Sequence, residues 1–117
     1  MADTKPTPEV LEARRRWFEG YCRQLEEASV VAEPKDGVRY PCPCCYCLTL
    51  EERGGFEICP VCFWEDDGQD SADADRVRGG PNGSLSLAQA RANYARVGAC
   101  EEKFVKNVRK PAPSEVP

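Results

Sequence analysis

Two Cys-Pro-x-Cys sequences, Cys42-Pro43-Cys44-Cys45 and Cys59-Pro60-Val61-Cys62, stand in a chain of 117 residues that contains no histidine. Each spacing folds as a tight turn with both sulfurs on one side, so two such turns supply the corners of a tetrahedron around Zn²⁺. With imidazole absent, four thiolates are the natural ligand set, and Cys42, Cys45, Cys59 and Cys62 are the candidate metal ligands. The stretch between Cys45 and Cys59 is a little shorter than the commonest paired pattern and reads as a two-strand excursion. Cys44-Cys45-Tyr46-Cys47 is a second Cys-x-x-Cys, so two registers compete for the first half of the site. Proline favours the first register, because in both Cys42-Pro43 and Cys59-Pro60 it fixes φ and presets a similar entry into the turn. Cys44 and Cys47 then remain open as thiols beside the site, as a spare pair, or as ligands of a second ion.

Eight cysteines in so short a chain would suggest a disulfide scaffold in a secreted protein. The polar, proline-containing stretch from Met1 to Pro8 leads into no apolar signal region, and no run approaches the ~20 apolar residues of a membrane span. The expectation is a cytoplasmic chain without a membrane partner, in which reduced Cys-x-x-Cys pairs bind metal. Sixteen basic against twenty acidic residues give a net charge of −4, which argues against a dedicated phosphate-binding surface. Without histidine, Ser-His-Asp and Cys-His catalysis fall away, together with the usual general base near neutral pH. No catalytic residue is assigned, and the expectation is a protein that is not an enzyme.

The chain divides into an N-terminal helix and connector (residues 1–36), a cysteine domain (37–110) and a flexible tail (111–117). A helix is predicted from Pro8 to Ala28, with Thr7 as N-cap and Pro8 at the first helical position. Val10, Leu11, Trp17, Phe18, Tyr21, Cys22, Leu25 and Ala28 recur at helical spacing, as a stripe that packs on the domain's own core or docks a partner. Cys22 and Cys100 read as small buried hydrophobes. After a polar connector at 32–37, Val38 to Tyr40 is expected to extend into the first cysteine turn. Leu48 to Glu51 and Phe56 to Ile58 alternate across Gly54-Gly55, which predicts a metal-capped β-hairpin. The run from Glu65 to Asp75 is an acidic loop, read first as solvated and second as facing a partner. Its spacing misses the EF-hand order. A helix is predicted from Leu87 to Val97, capped by Ser84 or Ser86. A shorter one, from Ala99 to Val108, is expected to turn Phe104, Val105 and Val108 inward.

From Tyr40 to about Pro113 the chain resembles the cysteine-rich CPCC family of small bacterial-type proteins. The residues that carry the resemblance are Cys42-Pro43-Cys44-Cys45, Leu48-Thr49-Leu50, the run from Ile58 to Asp70, the run from Gly79 to Leu87, and Gly98-Ala99-Cys100. The family pattern usually has glycine after the first cysteine turn, where this chain has Tyr46 followed by an additional Cys47. Glycine readily takes the positive φ that such turns favour. The resemblance implies a rubredoxin-like or zinc-ribbon-like metal-binding domain and no particular reaction.

The expected fold is therefore α+β: a small zinc-ribbon-like β-hairpin with two Cys-Pro-x-Cys turns, between an N-terminal amphipathic helix and one or two C-terminal helices. The expected function is a Cys₄ zinc-stapled protein-interaction or regulatory module with a protein partner. The alternative is a rubredoxin-like iron electron carrier, since tetrahedral S₄ sites suit either metal. Nucleic-acid binding through a zinc ribbon ranks below both, on the acidic balance.

Overall fold

The computed structural model of the chain describes residues 5–28 and 39–117, the last four residues of the first helix by their backbone only. The connector at 32–37 and Val38 of the expected strand lie outside the described residues. The fold is α+β, two α-helices and a two-stranded antiparallel sheet, with 3₁₀ turns at Gly80–Asn82, Glu102–Phe104 and Pro113–Glu115. No helix among the described residues is long and apolar enough to cross a membrane.

Helix α1 spans Pro8–Ala28. Thr7 starts it: the Thr7 hydroxyl accepts from the Val10 amide at 3.2 Å and the Thr7 carbonyl from the Leu11 amide at 3.0 Å. The apolar stripe splits on packing. Phe18 is buried and Leu11 packs partly into the core, whereas Val10 and Trp17 stay exposed. Arg14, a charged residue on the Leu11 and Phe18 side of the helix, is buried to 5% of its surface.

Strand β1 is Tyr40–Pro41 and β2 is Leu48–Leu50, paired antiparallel with Tyr40 opposite Leu50 and Pro41 opposite Leu48. This differs from the expected pairing of Leu48–Glu51 with Phe56–Ile58. The backbone around Phe56 instead pairs forward: the Phe56 amide donates to Asp66, the Asp66 amide to Glu57, and Ile58 bridges Glu65. Strand pairing therefore closes around each cysteine turn, and the Gly54-Gly55 segment links the two hairpin-like units. The physical reason is that each turn fixes its own flanks by short-range hydrogen bonds, which close at little entropic cost.

Helix α2 spans Leu87–Val97, with the Ser86 hydroxyl accepting from the Gln89 amide at 3.1 Å. Gly98, in the left-handed region at φ 84°, ends it and returns its amide to the Tyr94 carbonyl. The helix expected from Ala99 to Val108 is reduced to the 3₁₀ turn at Glu102–Phe104. Inside the segment the amides of Phe104, Val105 and Asn107 bond three residues back, and its two ends are tied to the second cysteine turn, the Cys100 amide to the Cys62 carbonyl at 2.7 Å and the Arg109 amide to the Pro60 carbonyl at 3.2 Å. Phe104 packs on Phe63 with ring centroids 4.6 Å apart, and Val105 points outward. Beyond Lys110 the chain runs back toward β2, where Arg109 holds Glu115 through two contacts of 2.7 and 2.9 Å. The core that results is centred on Trp64, Tyr94, Leu50, Leu87 and Val61 together with six cysteines of the turns.

Candidate metal centre

The two cysteine turns are built alike. In the first, the Cys42 amide donates to the Cys47 carbonyl and the Tyr46 amide to the Cys42 carbonyl, both at 2.8 Å. In the second, at the same offsets, the Cys59 amide donates to Trp64 at 2.9 Å and the Phe63 amide to Cys59 at 2.8 Å. Each turn is followed by a residue in the left-handed region, Tyr46 at φ 68° and Phe63 at φ 70°. Tyr46 thus takes up the conformation for which the family pattern carries glycine. Its ring offsets the strain: it lies 5.1 Å from the Phe18 ring, under the Arg91 guanidinium at 5.3 Å, and is buried.

Arranged in this way, the turns face each other. The sulfurs of Cys42, Cys45, Cys59 and Cys62 lie within 4.8 Å of one another, with Cys42 to Cys62 and Cys45 to Cys59 both at 3.6 Å. Zn–S bonds of about 2.3 Å in a tetrahedron set a sulfur-to-sulfur edge of about 3.8 Å, so the donor set fits a tetrahedral metal without rebuilding the backbone. All four cysteines are wholly buried. Burial pushes the Cys42 thiol up to about 12 and those of Cys45 and Cys62 well above their ordinary range. Burial opposes ionisation of Cys59 as well. There hydrogen bonds from Cys42, Cys45, Cys62 and Thr49 outweigh it and hold the thiol well below its ordinary value. Thr49 Oγ1 stands 3.1 Å from the Cys59 sulfur, on β2.

The competing register is not the one gathered. Cys44 and Cys47 are buried but outside the group of four, and the Cys47 thiol donates to the Cys45 carbonyl at 3.8 Å. Cys100 is buried, with its thiol raised by that burial, and Cys22 is half-buried on α1. In the acidic loop the carboxylates are largely turned to their own backbone. Asp66 accepts from the Gly54 amide at 2.6 Å and from Gly68 at 3.3 Å, Asp67 from Gln69, Asp70 from Ala72 and Asp73 from Asp70. Asp66 is buried, and burial holds its carboxyl above the usual carboxylate range against those amides.

Two arginines support the centre that the cysteine spacing did not point to. Arg91 of α2 donates from Nε to the Pro43 carbonyl at 2.8 Å, holding the first turn, and lies over the Phe18 and Tyr46 rings. Arg14 of α1 donates from Nη1 to the Tyr94 hydroxyl at 3.0 Å, and its Nε is buried without a partner. Burial works against its charge, yet Cys47, the Tyr94 hydroxyl and Cys45 more than compensate and raise the guanidinium above its ordinary value. Helical spacing alone could have found Arg14, because Leu11, Arg14 and Phe18 follow one another at three and four residues.

An α+β fold closed around four mutually facing, buried cysteine sulfurs defines a small cysteine-centred protein positioned to bind a metal ion. The chain belongs to the cysteine-rich CPCC family, whose family model matches residues 40–115. No match to the chain was found among curated proteins or among solved structures.

Proposed function

We propose that the chain is a metal-stapled protein-interaction or regulatory module with a zinc-ribbon-like core, in which Cys42, Cys45, Cys59 and Cys62 hold a structural Zn²⁺. The observation that carries this reading is the complete burial of all four sulfurs. Catalytic zinc sites keep one coordination position open to water or substrate, whereas structural sites are closed by protein ligands. A sulfur cage with no corner toward solvent is of the closed kind. The bound ion would neutralise part of the thiolate charge and join the two cysteine turns, adding its binding energy to folding. The setting we assign is reducing and cytoplasmic, where Cys-x-x-Cys pairs stay available as metal ligands.

With the metal committed to architecture, recognition falls to the surface. Trp17 is 38% exposed and stacks on Tyr21 at 5.4 Å, with the exposed Val10 about two turns earlier on the same helix. The net charge of −4 favours a basic protein surface over nucleic acid as partner. The testing experiment is elemental analysis with an absorption spectrum on untagged protein purified without added metal. One equivalent of zinc with no visible absorption supports the reading. One equivalent of iron, with thiolate charge-transfer bands and reversible one-electron reduction, replaces it with a rubredoxin-like electron carrier. Absence of both metals in a folded protein refutes it.

A further inference from the structure

Arg14 is the one buried cation among the described residues, and it takes part in none of their ion pairs. Its single hydrogen bond goes to a neutral hydroxyl, Tyr94, and its Nε has no partner. The buried carboxylate, Asp66, is occupied with the Gly54 and Gly68 amides. A buried guanidinium without a counter-charge is strongly unfavourable, so the setting of Arg14 favours a neighbouring negative charge. Arg14 reaches the cysteine core through Tyr94, whose hydroxyl accepts from its Nη1 at 3.0 Å and which packs in one buried cluster with the six cysteines of the turns. Four thiolates around a divalent ion carry a net charge of −2, itself costly to bury and in need of a cation.

We infer that Arg14 is the counter-charge of the metal centre, delivered by helix α1 through its seat on Tyr94, so that metal binding and docking of α1 reinforce each other. This rests on the reading of Cys42, Cys45, Cys59 and Cys62 as metal ligands. The two needs are complementary. The cation lacks an anion until the metal–thiolate group forms, and that group has the buried Arg14 charge beside the half-exposed Arg91 and the exposed Arg109 only when α1 is docked. Coupling between two such events is reciprocal: whatever docked α1 adds to metal affinity, bound metal adds to docking. Arg14 also lies outside residues 40–115, so the matched cysteine domain receives this charge from the segment that precedes it.

The test uses the full chain and the variants Arg14→Lys, Arg14→Met and Arg14→Gln, with Zn²⁺ affinity measured by competition against a chromophoric chelator. Near-UV circular dichroism of the loaded proteins reports whether each variant is folded. The expected result is one equivalent of zinc in every protein, with affinity ~10–100-fold weaker in the Met and Gln variants and within a few-fold of wild type in the Lys variant. In the iron-loaded proteins the Fe(III)/Fe(II) potential shifts to more negative values in Met and Gln, because removing a cation disfavours the more negative reduced centre. A purely packing role for Arg14 leaves the potential unmoved and gives Met and Lys the same loss, and either result overturns the inference. Equal affinities in all four proteins overturn it too. Should the Met variant fail to fold, the Lys and Gln variants carry the same comparison of charge against shape. A wild-type chain that takes up no metal is a separate outcome, which removes the metal reading itself.

Discussion

Tyr46 and Phe63 occupy equivalent places after their cysteine turns, at φ 68° and 70°, and glycine substitution at the two should give different results. A left-handed conformation at a residue with a Cβ costs roughly 1–2 kcal/mol, which glycine recovers. Glycine returns about 0.4–1 kcal/mol of that by loosening the unfolded chain. At Tyr46 the lost ring is buried against Phe18 and Arg91. Deleting such an aromatic costs about 3–5 kcal/mol, so Tyr46→Gly should lose about 2–4 kcal/mol net. At Phe63 the ring is half-buried with Phe104 as its ring contact. There the loss is about 1–2 kcal/mol, and Phe63→Gly should fall within about 1 kcal/mol of wild type. Alanine isolates the backbone contribution: it deletes the ring and keeps the strain, so each alanine variant should be about 1 kcal/mol less stable than its glycine counterpart. Urea unfolding of the metal-loaded proteins, with metal content verified, measures all four. Alanine equal to or more stable than glycine at either site would refute the strain argument. Equal losses in Tyr46→Gly and Phe63→Gly would refute the packing argument.

Cys→Ser at Cys42, Cys45, Cys59 or Cys62 should each lower metal content and unfold the domain, whereas Cys44→Ser should retain a full equivalent by elemental analysis. Thr49→Val removes the hydroxyl 3.1 Å from the Cys59 sulfur and should weaken Zn²⁺ binding by ~10-fold in chelator competition, with the fold unchanged by circular dichroism. The Glu115 carboxyl is held below its ordinary 4.5, first by the Arg109 hydrogen bonds and then, against burial, by the Ala112 amide. Its folded value being the lower one, its contribution to stability is complete above pH 4.5 and disappears as pH falls through that folded value. The Tm difference between wild type and Glu115→Gln should therefore be largest near neutral pH and vanish in strong acid. A difference constant with pH would count against the pairing.

The elements legible in the sequence were those with local signatures. Pro8 and Thr7 mark the start of α1, and Ser86, one of the two candidate caps, the start of α2, and both helices begin where these residues put them. The hairpin was misread because alternation at Leu48–Glu51 and Phe56–Ile58 reports which residues can form strands and not which strands pair. The turns decided the pairing through hydrogen bonds between residues four and five apart. The shortened last helix is invisible for a related reason, since the carbonyls of Cys62 and Pro60 that tie down the two ends of that segment lie 38 and 49 residues away in sequence. Cysteine spacing brings the four sulfurs to notice, but Arg14 and Arg91 carry no motif. Their roles come from the tertiary meeting of α1 and α2 with the first cysteine turn.

The matched backbone of the two cysteine turns bears on how the chain assembles in time. Each half closes on itself within six residues, from Cys42 to Cys47 and from Cys59 to Trp64, before any contact between halves is required. Hairpins of this size form in about 1–10 μs, and alone they are only marginally stable. The nascent chain is thus expected to present two transient claws, each holding two sulfurs, and an incoming ion need only bring one claw to the other. Withdrawal of the ion reverses the last step first, parting the claws before either opens. On the metal-stapled reading proposed above, such a chain would gain and give up its ion along one short path, at the seam between two like halves.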